Sequence, residues 1–89
     1  MIEEFESGLR ELWIDYLVFR DGCSAEKAEM YLDIDLGSVK GVEHELDCIS
    51  VEFDNMADNK ELHDKFYDRF DFYWDELNYL KTSYQKEEE

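Results

Sequence analysis

The residues best placed to do chemistry in this chain are acids. Between Lys60 and Leu80 it reads KELHDKFYDRFDFYWDELNYL, where Glu61, Asp64, Asp68, Asp71 and Asp75 recur at steps of three and four. On a helix, at 100° per residue, these five share a band of roughly 80°, nearly opposite Leu62, Phe66, Phe70, Tyr73, Leu77, Leu80 and Tyr84. Shorter sets recur: Glu4, Glu11 and Asp15; Glu26, Glu29 and Asp33; Glu43, Asp47 and Asp54. The plain explanation is a solvated helix face. Ordinary exposed helices mix signs, however, because like charges four residues apart cost roughly 0.2–0.5 kcal/mol per pair. Asp64 with Asp68, and Asp71 with Asp75, accept that cost, and Asp is a poorer mid-helix residue than Glu.

Reaction chemistry does not follow from these residues. Carboxylates are so numerous that no pair is singled out as an acid–base couple. The stretch DIDLGSVKGVEHE invites a calcium loop, but counted from Asp33 such a loop needs Gly sixth and Glu twelfth, and Ser38 and His44 stand there. His44 and Cys48, four apart, suit two ligands of a zinc ion, with Cys23 or His63 as completions, a spacing that chance also produces. There is no glycine-rich phosphate loop and no G-x-S-x-G; Ser24 and Ser38 read as helix caps. No catalytic residue, metal or cofactor is expected, and the chain is not read as an enzyme.

What a row of carboxylates does offer is a charge lattice. The chain carries 25 Asp and Glu against 9 Lys and Arg, a net −16. A helix over 59–84 is about 39 Å long, so that charge spread along its axis is about one per 2.4 Å, against one per roughly 1.7 Å for duplex DNA. One row alone, with a carboxylate every ~5 Å, is too sparse, and rows on helices packed ~8–10 Å apart are needed. The expected partner is therefore a basic nucleic-acid-binding protein, met by Glu61, Asp64, Asp68, Asp71 and Asp75 and by Glu43, Asp47, Asp54, Glu26, Glu29 and Asp33. Phe72 and Tyr79 fall within or beside the acidic band, where rigid aromatics anchor a contact, while Tyr67 and Trp74 flank it and suit a wide buried arc. A second use is an acidic adaptor whose bundle binds a partner helix or forms a homodimer through Phe72 and Trp74.

The supporting elements are helical. No proline occurs, and the four glycines, at 8, 22, 37 and 41, avoid the second half. Ile2, Phe5, Leu9, Leu12, Trp13 and Tyr16 make an amphipathic stripe closed by RDG; Ser24 caps a second helix running to Gly37, with Cys23 and Ala28 as a hydrophobic staple. Ser38 caps a third, striped by Val39, Val42, Leu46, Ile49, Phe53 and Met56, and Asp58 with Glu61 opens the last as a capping box. The fold class is all-α, a small single-domain bundle of about four helices over approximately 2–20, 24–36, 38–56 and 59–84, with 85–89 a frayed acidic tail.

The same features bound the setting. An apolar fraction of 44% with six Phe, six Tyr and two Trp is enough for a core, which excludes a disordered acidic tail. A negative field repels nucleic acid and anionic membranes, so no direct contact with either is expected. The N-terminal MIEEFESG lacks the basic and apolar regions of a secretory signal, and the runs LWI and YLVF are too short to span a bilayer. The chain is read as cytoplasmic, with Cys23 and Cys48 as reduced thiols.

In size, charge and row spacing the chain resembles the small, very acidic inhibitors that phages and mobile elements make against host nucleases, restriction enzymes and CRISPR effectors. The resemblance implies a DNA-mimic inhibitor, anti-CRISPR or anti-restriction in kind, acting without catalysis in the host cytoplasm.

Overall fold

The computed structural model describes residues 2–88, and side chains within 2–86. Among them are four helices and no strand: α1 (Ile2–Asp21), α2 (Ala25–Met30), α3 (Val39–Ala57) and α4 (Lys60–Glu88). The all-α reading stands. No helix is long and apolar enough to cross a membrane among the described residues.

The chain divides into two compact units, Met1–Ile34 and Asp35–Glu89. In the first, α1 buries Leu9, Leu12, Trp13 and Tyr16, while Ile2, at the start of the expected stripe, is exposed. Trp13 and Tyr16 meet edge to face with ring centroids 6.0 Å apart. Gly22 closes α1 at φ +70°, and its N–H donates to the Val18 carbonyl at 3.0 Å, the left-handed cap that glycine adopts without a Cβ penalty. The Ser24 hydroxyl then accepts from the Lys27 N–H at 3.1 Å, as the spacing predicts, and α2 packs back against α1 with Ala28 buried.

The second helix is shorter than the sequence reading allowed, ending at Met30 rather than Gly37. Tyr31 and Leu32 donate to Ala28 and Glu29, i to i−3 bonds that tighten the last turn. Beyond them the chain alternates. Leu32 is half-buried, Ile34 and Leu36 are buried, and Asp33 and Asp35 are exposed. That period of two belongs to extended backbone, since a helix would turn residues two apart by ~200° and could not bury them together.

In the second unit, α3 and α4 form an antiparallel hairpin joined by Asp58 and Asn59. Ser38 caps α3 through the Gly41 N–H at 3.1 Å. The cap of α4 is Asn59, whose Oδ1 accepts from the Leu62 N–H at 3.2 Å; Asp58, expected in that role, instead closes α3. Leu62, Phe66, Phe70 and Leu77 are buried along α4, opposite the acids, and Val42, Leu46, Ile49 and Met56 along α3. The helix α4 continues through residues 85–88, beyond the end expected at 84; Glu89 lies outside the described residues.

Candidate functional site: two acidic rows on a helical hairpin

The contacts along the α3–α4 seam fix how each helix is rotated. Phe53 of α3 rests against Tyr67 and Trp74 of α4, with ring centroids 5.4 Å and 5.5 Å apart. Nearer the other end, Lys81 Nζ reaches the Glu43 carboxylate at 3.8 Å. Tyr67 also stacks on His63, with centroids 4.5 Å apart. The seam is thus aromatic toward the hairpin turn and ionic toward the start of α3. Trp74 is half-buried in the seam, whereas Tyr67, though in contact with Phe53, stays exposed, so the wide buried arc expected for both takes in Trp74 alone.

From the seam the rows can be located. Around α3, Phe53 lies within the buried stripe, between Val42 and Leu46, and Glu43, Asp47 and Asp54 stand about 80–120° further on. Around α4 the order is buried stripe, then Trp74 and Tyr67, then Asp64, Asp68, Asp71, Asp75 and Glu61 roughly 50–130° further on. On antiparallel helices, rows turned in the same sense from the seam come out on one side of the hairpin, away from the buried stripes. All eight of these acids are exposed.

Two acids of this face already have a partner. Glu43 contributes a carboxylate already bridged to Lys81. Asp64 Oδ1 lies 3.5 Å from His63 Nδ1, a long contact between two exposed groups. In the first unit Glu26 and Glu29 are exposed on α2, but Asp33 lies beyond its end in extended chain, so these three do not form a helical row. The expected set Glu26, Glu29 and Asp33 is corrected accordingly, because the alternating burial of 32–36 replaces helix there.

Two acids that the row pattern passed over are buried on α3. Glu45 and Glu52 are only 4% and 7% exposed, and Asn55 Nδ2 donates to Glu52 Oε2 at 3.4 Å. Among the described residues no buried side-chain nitrogen or oxygen lacks a hydrogen-bond partner, the condition under which a buried carboxylate is tolerated. A signal existed in the sequence. Val42, Glu45, Ile49, Glu52 and Met56 also alternate by three and four, so the acids were in phase with the core.

The aromatics of the acidic band divide as the wheel positions require. Phe72 is 58% and Tyr79 76% exposed, two turns apart on the side of α4 away from the seam. Phe72 meets Tyr73 edge to face, with ring centroids 5.3 Å apart. His44 Nε2 and Cys48 Sγ lie 3.7 Å apart, yet no three His, Cys, Asp or Glu converge to hold a metal among the described residues. Both cysteines are free thiols.

Against known proteins, the chain matches no family model, no curated protein and no solved structure.

Proposed function

We propose that the protein is a non-catalytic mimic of a nucleic-acid phosphate array, which occupies the basic groove of a nucleic-acid-binding protein and thereby inhibits it. The observation that carries this reading is the exposure of the α3 and α4 acids on two packed helices whose rotation about the seam turns both rows to one side. Two rows held apart by an aromatic seam resemble two phosphate strands flanking a groove more closely than one row does. A row alone has a carboxylate every ~5 Å, and the second row, ~8–10 Å away, supplies the density. Docking of such a lattice is steered by long-range attraction and is steeply weakened by salt. A nuclease, restriction enzyme or CRISPR effector has a groove of this kind, which makes an anti-restriction or anti-CRISPR role the particular form of the proposal.

The test is capture of partners on the immobilised protein from a nuclease-treated lysate, at low and high salt, with duplex DNA as competitor. Retention of a nucleic-acid-binding protein that DNA displaces and salt releases is the expected result. A variant with Glu61→Gln, Asp64→Asn, Asp68→Asn, Asp71→Asn and Asp75→Asn should lose that partner while keeping its helicity. Undiminished binding by this variant would sink the proposal.

A second reading, an acidic adaptor that self-associates or binds a partner helix, draws on the exposure of Phe72. Trp74, packed on Phe53, is not available to it in full. A concentration-dependent mass that Phe72→Ser abolishes would favour this reading.

A further inference from the structure

We infer that the outer edge of α4 recognises arginine in particular, through Phe72 and Tyr79; this rests on the basic-groove reading above and specifies which cation that groove presents. The observation is the aromatic pair, which a plain acidic lattice does not need. Both rings are more than half exposed, at 58% and 76%, on a chain that buries Phe66, Phe70 and Leu77 of the same helix. Seven residues apart, they stand about 10.5 Å from each other along the axis. Carboxylates alternate with them. Asp68 precedes Phe72 by four residues, Asp75 stands three after it and four before Tyr79, and Glu76 four after it and three before Tyr79. Residues three and four apart are neighbours on a helix surface, so exposed carboxylates stand on both sides of Phe72 along the axis, with Arg69 also three residues before it, and two stand on the N-terminal side of Tyr79.

Charge complementarity selects the occupant. Phosphates and anionic lipids are repelled by this edge. An apolar helix would bury carboxylates without partners, at a desolvation cost. A lysine ammonium satisfies a carboxylate as a point charge and leaves the ring with little. A guanidinium does both at once: its edge forms paired hydrogen bonds to a carboxylate while its face stacks on the neighbouring ring. Two rings ~10.5 Å apart match arginines two turns apart on a helix, or about three residues apart in extended chain.

The test uses the whole protein and two peptides of equal charge, nona-arginine and nona-lysine, with affinity measured at low and at physiological salt. The expected result is that nona-arginine binds roughly fivefold or more tightly than nona-lysine. The variant Phe72→Leu with Tyr79→Leu should remove that preference and keep salt-sensitive binding of both peptides, with helicity unchanged by circular dichroism. Equal binding of the two peptides by the unaltered protein would overturn the arginine inference and leave the acidic-lattice reading standing. Absence of binding to either peptide at low salt would overturn both. A preference that survives in the double variant would show that the rings do not carry it.

Discussion

The phenol of Tyr84 donates a hydrogen bond of 2.7 Å to the backbone carbonyl of Leu36, across 48 positions of sequence. It ties the end of the last helix to the extended segment that leads into α3, and Leu36 itself is fully buried. Tyr84→Phe keeps the ring and removes the donor, leaving a carbonyl to find another partner. The expected loss is about 0.5–1.5 kcal/mol, read as a lower midpoint in urea with unchanged helicity. An unmoved midpoint would mean that the bond contributes nothing in solution.

Gly41 sits directly against the backbone of Asp35. A Cβ there would overlap the Asp35 carbonyl oxygen and stand 2.8 Å from its carbon, both backbone atoms that cannot swing aside. Gly41→Ala should therefore cost ~1–3 kcal/mol or more, although alanine favours a helix over glycine by about 1 kcal/mol. Gly22 is the contrast, with nothing within 4 Å but a φ of +70°. Gly22→Ala should cost about 1–2 kcal/mol, and Gly22→Asn less, because that penalty is conformational rather than steric. Equal response of Gly22 to Ala and Asn would count against this division.

At the hairpin turn the two neighbouring polar residues have separate duties. Asn59→Ala removes the acceptor for the Leu62 N–H and should destabilise by ~0.5–2 kcal/mol. Asp58→Ala removes no side-chain cap of α4 and should change stability by less. Chemical denaturation of the two variants side by side decides it; a larger loss at Asp58 would return the cap to the capping-box pairing expected from sequence.

The Cys48 thiol is pushed up, first by partial burial and then by the charges of Glu45, Asp47 and Glu52. A raised value means that the folded state favours the protonated thiol. The associated stability is present below the unfolded-state pKa and is lost as pH rises through the folded-state value. Alkylation of Cys48 in a Cys23→Ser variant should accordingly half-activate at higher pH in the folded protein than in the chain unfolded by urea. A midpoint at the same or lower pH would contradict the assigned surroundings.

Much of the helical architecture is written locally. Ser24 and Ser38 find the N–H groups three residues on, Gly22 takes the left-handed cap, and the apolar stripe of α4 is buried at Leu62, Phe66, Phe70 and Leu77. The exposure of Phe72 was also legible, because its position falls opposite that stripe. The extent of α2 is less legible, because the strict alternation of LDIDL follows directly on residues with helical spacing. Glu45 and Glu52 were missed for a related reason: α3 carries two interleaved stripes, and residue type made the one through Leu46 and Phe53 more visible.

By itself, then, the sequence determined helices, caps and the rows of carboxylates, since each depends on spacing within a few residues of one chain. The tertiary structure alone decided which rows share a side. That depends on how α3 and α4 are rotated about their axes, which Phe53 against Trp74 and Glu43 against Lys81 settle, and such contacts join residues far apart in sequence that local periodicity does not pair.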